Sequence, residues 1–271
     1  MGQVVVVTSG KGGVGKTTST AALGAALAQR KQKVVVVDFD VGLRNLDLVL
    51  GAERRVVYDL VDVIHGTANI AQAVIRDKRV ADLYLLAASQ TRDKDALTPE
   101  GVAKVIAELR GKYDWIICDS PAGIEKGATM AMRHADMAVV VSNPEVSSVR
   151  DSDRIVGLLD SKTEIAERGG DMPKYLLITR YNAARVVRGD MLSVNDVLDI
   201  LSLPLLGIIP ESDDVLRASN VGSPVTISNV DSAAGLAYMD VARRLMGEEV
   251  AMTVPVERKK IMGRLFGWRA A

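Results

Sequence analysis

The chain has 271 residues, 48% hydrophobic and 25% charged, with a formal net charge of zero and a single cysteine. That length can bury one large α/β core. Cys118 as the sole thiol excludes a disulfide framework and argues against an iron–sulfur cluster, even one shared by two subunits. No run approaches eighteen consecutive apolar residues, so no spanning helix is expected. The first strand begins almost at once, and no signal peptide is expected before it.

The apolar, β-branched run Val4–Thr8 predicts the first strand. Gly10-Lys11-Gly12-Gly13-Val14-Gly15-Lys16-Thr17 follows, matching the G-x-x-x-x-G-K-[ST] phosphate loop, and an Ala- and Leu-rich helix is expected over Thr17–Gln29. Glycines let the backbone turn its N–H groups onto an anion. The helix start formed by Thr17 and Thr18 adds its positive end. Lys16 supplies a cation for the β- and γ-phosphates, and the Thr17 hydroxyl can ligate Mg²⁺. Lys11 is a second lysine that the motif does not require. It reads either as a solvated surface charge or as a cation aimed at phosphate.

A strand over Lys33–Asp38 ends in Asp38-Phe39-Asp40, where a carboxylate could orient water, hold Mg²⁺ through water, or simply cap a turn. Helix Leu60–His65, strand Leu83–Ala87 and helix Pro99–Gly111 come next. Strand Trp115–Asp119 then ends in acid, as the second nucleotide motif of such proteins does, and Asp119 is placed near Mg²⁺. Ser120-Pro121-Ala122-Gly123 and a helix over Ile124–Arg133 follow. Strand Met137–Ser142, helix Ser147–Ser161 and a mobile polar loop over 163–172 complete the middle of the chain.

The last expected strands are Tyr175–Thr179 and Leu205–Ile209, with helices over Met191–Leu201, Ser212–Ser219 and Ser232–Met246. Alternating strands and helices predict a doubly wound, mainly parallel sheet flanked by helices, with ligands at the strands' carboxyl ends. His65 and His134 lack acidic companions at ligand spacing, and no metal is assigned to them.

The expected domains are a phosphate-loop body over 1–247, a linker over 248–256 and an amphipathic tail over 257–271. In the tail, Ile261, Leu265 and Trp268 recur at helical spacing, with Met262 and Phe266 beside them. Lys259, Lys260, Arg264, Arg258 and Arg269 border that face. Five basic residues and one acid give the tail +4, which leaves −4 for residues 1–256. This is the composition of an interfacial helix on anionic phospholipid; a helix docked on the body is the other reading. The acidic body gives no expectation of nucleic-acid binding.

The string Lys11-Gly12-Gly13-Val14-Gly15-Lys16-Thr17-Thr18 resembles the deviant Walker A ATPases. That resemblance implies an ATP- and Mg²⁺-dependent ATPase in which two subunits sandwich two ATP molecules. It gives Lys11 a reach to the partner's nucleotide, Asp40 the placing of the attacking water, and Asp38 support of the metal site. Arg180 and Asn182 resemble the family's base-recognition segment, with Pro210, Glu211 and Asp213 as neighbours.

The strings at 38–47, 53–59, 88–97 and 143–154, together with the tail, are similar to the septum-site-determining branch of the family. That branch implies a cytoplasmic homodimer, peripheral on the bacterial inner membrane, which recruits the division inhibitor MinC and is stimulated by MinE. Arg44, Ser148, Asp151 and Asp153 then become candidates for the partner surface, against the plainer reading of a solvated face. Two alternatives stay open: a partition ATPase that binds DNA non-specifically, and a nucleotide-binding scaffold without turnover.

Overall fold

The computed structural model describes residues 1–255; the amphipathic tail expected over 257–271 lies outside the described residues. Eight strands form one sheet: β1 (Gln3–Thr8), β2 (Val34–Asp38), β3 (Ile75–Arg76), β4 (Leu83–Leu86), β5 (Trp115–Asp119), β6 (Met137–Ser142), β7 (Lys174–Tyr181) and β8 (Leu205–Pro210). Their spatial order is β3-β4-β2-β5-β1-β6-β7-β8. All neighbours are parallel except β3 with β4. The central strands read as continuous Val and Ile because both of their faces are covered.

The helices are α1 (Lys16–Gln29), α2 (Leu46–Val49), α3 (Leu60–His65), α4 (Ile70–Ala73), α5 (Pro99–Arg110), α6 (Lys126–Arg133), α7 (Val146–Lys162), α8 (Glu164–Glu167), α9 (Ala183–Val187), α10 (Val194–Leu201), α11 (Asp213–Asn220), α12 (Val225–Ser228) and α13 (Ala233–Leu245). Strand residues alternate between two apolar layers. Val4, Val6, Val35 and Ile116 join one with α3, α5, α7 and α10; Val5, Val7, Val36 and Ile117 join the other with α1 and α13. Local chemistry sets the helix starts. Asp59 and Asp62 form a capping box on α3, Thr98 caps α5 with Pro99 in its first turn, and Ser193 and Asp196 form a box on α10.

The expected strands and long helices all form. Segment 163–172 is a correction, because α8 lies within what reads as an irregular polar loop. Thr163 accepts the Ala166 N–H, while Arg133 holds the Glu167 carboxylate through two nitrogens at 2.8 and 2.9 Å. Glu164 meets His134 at 3.0 Å. The sequence reading also lacks β3, α2, α4, α9 and α12, since two to five residues are too few to show a period.

Where the body ends, Glu248 pairs with both Arg30 and Arg243. Arg244 donates to the carbonyls of Leu206, Val250 and Ala251. Residues 248–251, in the expected linker, are therefore fastened to the body.

Candidate functional site

The site opens at the carboxyl ends of β1, β2, β5 and β7. Between β1 and α1 the loop turns through Gly13 (φ +76°) and Gly15 (φ +100°), backbone that side chains with a Cβ rarely adopt. Gly10 is required for a different reason. A Cβ there would lie 2.1 Å from the Asp151 carbonyl oxygen, so the loop is packed directly on α7. Open space lies above Gly13, with nothing within 4 Å of an added Cβ. The loop is thus a backbone cradle that faces outward.

Lys16 begins α1 and is buried, its Nζ donating to Ser9 Oγ at 2.9 Å. Burial pushes its pKa down, while Asp119 and Asp40 oppose that shift. Asp38 and Asp119 stand side by side at the ends of β2 and β5. Both are fully buried, and desolvation raises the proton affinity of each. The charge of Asp119 adds to the shift on Asp38, whereas hydrogen bonding from Thr17 and the charge of Lys16 oppose the shift on Asp119. Two crowded carboxylates beside a threonine hydroxyl are an oxygen donor set whose chemistry suits a hard divalent cation. Among the described residues no group of three or more His, Cys, Asp or Glu forms a metal cage. Mg²⁺ ordinarily needs only one or two carboxylates besides phosphate.

The oxygens of Asp38 also accept the N–H groups of Asp40 at 2.8 Å and Leu46 at 3.1 Å. Asp38 therefore shapes the turn that presents Asp40, which lies half-buried at the rim. Thr20 donates to Asp119 at 3.3 Å, tying α1 to β5. On the other flank, the Ser120 N–H donates to Val7 O and the Gly123 N–H to Ser9 O, which draws the 120–123 turn against the loop.

A cleft of about 430 Å³ continues from the loop along the ends of β7 and β8. Val14, Gly15 and Thr18 line its phosphate end; Arg180, Pro210, Glu211, Asp213, Leu216 and Tyr238 line the remainder. This size suits a small ligand. Asn182 stands outside that lining. It caps α9 through the Arg185 N–H and donates to Glu211 at 2.8 Å, so it acts on the cleft through its neighbour. Arg180 holds a left-handed backbone, φ +53°.

Lys11 does not turn into its own loop. Its side chain is 42% exposed at the rim, with Nζ 2.9 Å from Ser147 Oγ and 3.6 Å from a Glu145 oxygen.

The candidate partner residues separate. Asp153 is exposed on α7, and Asp151 is half-buried behind Gly10. Arg44 is ion-paired to the buried Asp47 at 2.7 Å. Ser148 is corrected: it is 1% exposed and bonds Ser142 Oγ and the Asn143 N–H, so the first turn of α7 buries it.

The sequence reading missed Ser9, Thr20, Thr179, Leu216 and Tyr238. Ser9 could have been found from its place just before the loop. Thr179, whose Oγ1 lies 2.7 Å from Val14 O, and Tyr238 arrive only through tertiary packing.

Residues 5–225 match the family model described as the CobQ/CobB/MinD/ParA nucleotide binding domain. The septum site-determining protein MinD of Neisseria meningitidis is 59% identical over 271 residues, covering 98% of this chain and 100% of that protein. The chain from the MinC:MinD complex of Aquifex aeolicus superposes with a TM-score of 0.82 at 44% identity, covering 94% of this chain and 99% of its own. The Pyrococcus horikoshii septum site-determining protein complexed with Mg-ADP superposes at 0.80 with 30% identity, over 90% and 96% of the two chains. A phosphate loop, two buried carboxylates and similarity along nearly the whole length agree: the chain belongs to the septum-site-determining MinD family of P-loop ATPases.

Proposed function

We propose that this chain is an ATP- and Mg²⁺-dependent switch that pairs with a second copy on ATP, lodges on the anionic cytoplasmic face of the inner membrane, and acts there in septum placement. Lys11 carries the reading: it is a second cation at the open rim beside a loop that already has Lys16, and its contacts to Ser147 and Glu145 are solvent-exposed ones that a second molecule's phosphates would replace. The relative crystallised with MinC supports MinC as a partner, and the relative complexed with Mg-ADP supports an adenine nucleotide with magnesium. MinE as the stimulator of hydrolysis comes from the family resemblance alone.

Gly10 to Thr18 would hold the phosphates, with Thr17 and Asp119 beside the metal. Arg180, Pro210, Glu211 and Asp213, with Asn182 behind them, would hold the base. Magnesium supplies neutralisation of charge developing on the phosphates. Lys16, buried and cationic, fixes the phosphate end, and Asp40, shaped by Asp38, orients the attacking water. Lys11 brings charge to the other subunit's site. Such positioning and charge stabilisation are the main work of phosphoryl transfer.

No described helix is long and apolar enough to cross a membrane; we place attachment on segment 257–271 because its basic and apolar residues suit an anionic surface. One weak basic, apolar anchor becomes two on a dimer, and avidity multiplies them. A partition-type DNA function is less favoured, because the positive charge lies in the tail and the rest of the chain sums to −4. The test is co-sedimentation with anionic liposomes in ADP and in ATP, with and without residues 257–271. Only the full chain in ATP should pellet, and both forms should run as dimers in ATP. A full chain that stays monomeric with a non-hydrolysable analogue and magnesium overturns the proposal.

A further inference from the structure

Two side-chain hydrogen bonds from adjacent residues hold the start of α1. Thr20 reaches Asp119 on the carboxylate side. Toward α13, Ser19 Oγ and the Tyr238 hydroxyl share a hydrogen bond of 2.9 Å. Ser19 stands one turn beyond Lys16, with its N–H on the Gly15 carbonyl. Tyr238 comes from α13, 219 residues later in the chain. Its side chain is among the largest fully buried ones, and it also lines the cleft beside Val14, Thr18, Arg180 and Pro210. One residue thus touches the first turns of the phosphate-loop helix and forms part of the cleft lining.

A phenylalanine would fill the same apolar volume, so packing alone does not call for the hydroxyl. Both oxygens are in a water-poor site, where an unmatched hydroxyl is costly and a matched pair is directional. Burial raises the phenol pKa to about 12, so the group stays neutral and can donate at working pH. What the pair fixes is the spacing between the loop that takes phosphate and the cleft that takes the base.

We propose that Tyr238, through Ser19, is a positioning residue that aligns the base cleft with the phosphate loop, so that an adenine nucleotide engages both at once. This rests on reading the cleft as the base site. It makes a specific demand: breaking the pair should weaken ligands that span both regions and spare those that need only the loop.

The experiment measures binding of Mg-ADP and of inorganic pyrophosphate to the full chain by competition with a fluorescent ADP, alongside Tm. The proteins compared are the unsubstituted chain, Tyr238→Phe, Ser19→Ala and the double variant. Each single variant should weaken ADP by about fivefold and leave pyrophosphate within about twofold, in keeping with the loss of one hydrogen bond. Each should also lower Tm, because it strands one buried hydroxyl. The double variant should recover Tm, since neither oxygen is then left unmatched, yet keep the ADP defect.

ADP affinity unchanged in both single variants overturns the proposal. So does equal weakening of ADP and pyrophosphate, or an ADP affinity that returns with Tm in the double variant; each marks the pair as support for the fold alone. Should Tyr238→Phe fail to fold, Ser19→Ala carries the same comparison. An unsubstituted chain that binds ADP no tighter than pyrophosphate removes the base-cleft reading itself, a result distinct from any of these.

Discussion

The two ends of the nucleotide site are built on different principles. At the phosphate end, eight consecutive residues, two strand-end carboxylates and the start of one helix do the work, and the key groups are buried: Lys16, Asp38 and Asp119 are all 7% exposed or less. At the other end, which we propose takes the base, the lining comes from β7, β8, α11 and α13. There Leu216 is 62% exposed. Charge placed under low dielectric is strong and intolerant of change, whereas an open wall that mixes Pro210 and Leu216 with the exposed Arg180, Glu211 and Asp213 contributes by area and screened charge and tolerates substitution. The difference teaches that the phosphate end joins one contiguous loop to acids that neighbouring strands carry to the same sheet edge, whereas the other end is assembled from later strands and helices at the surface.

Lys16→Ala should break the comparison at its strong end. Removing the buried cation leaves the phosphate cradle without its balancing charge. ATP hydrolysis should fall by about 10²-fold or more, and ATP-dependent dimerisation and liposome binding should vanish with it. Phosphate release and size-exclusion chromatography in ATP check this, and a variant that still dimerises contradicts it.

Asp40→Ala should rank next. It lies at the rim, and on the proposed reading it orients water, so ATP dimers should persist while turnover drops by about 10²-fold. Unchanged phosphate release would remove its assigned role.

Leu216→Ala probes the open wall. An exposed leucine contributes little to folding, so stability should stay within about 0.5 kcal/mol. Mg-ADP affinity should fall by about threefold through lost apolar contact, as read by titration calorimetry. A loss as large as that of Lys16→Ala would erase the contrast between the ends.

The smallest effect lies away from both ends, where His134 supports the contact between α6 and α8. Burial lowers its pKa, against the opposing charge of Glu164. A histidine whose folded pKa is depressed takes up more protons unfolded than folded just below its ordinary value of about 6.5. Its contribution is therefore present above that value and lost as pH falls through the window beneath it. Tm should decline slightly from about pH 7.5 to 5.5, and His134→Gln should flatten that slope; a slope unchanged in the variant places the titration elsewhere.

The same contrast explains what the sequence made legible. Val4–Thr8 and the glycine loop declare themselves because strand period, loop motif and helix start are neighbours in the chain, and Asp119 because it ends an apolar strand of its own. The sheet follows from repeated strand–helix alternation, and its long helices from their apolar period. Ser148 was misread because a serine in a helix's first turn can face either solvent or core, and only packing decides. The helix α8 was missed because its support comes from Arg133 and His134 on another helix. Tyr238 carries no local mark at all. A tyrosine in an amphipathic helix reads as core, and its bond to Ser19 exists only once α13 lies against α1.

The fastening at Glu248 sets the geometry of the leash. Arg30, its partner, caps the far end of α1, and that 14-residue helix places it about 21 Å from the phosphate loop. Arg244 extends the harness to Ala251, after which the five residues before position 257 can span at most about 18 Å. On the proposed reading, a bilayer gripped by segment 257–271 would therefore lie toward the end of α1 remote from the phosphate loop, leaving the loop's own side for a second copy.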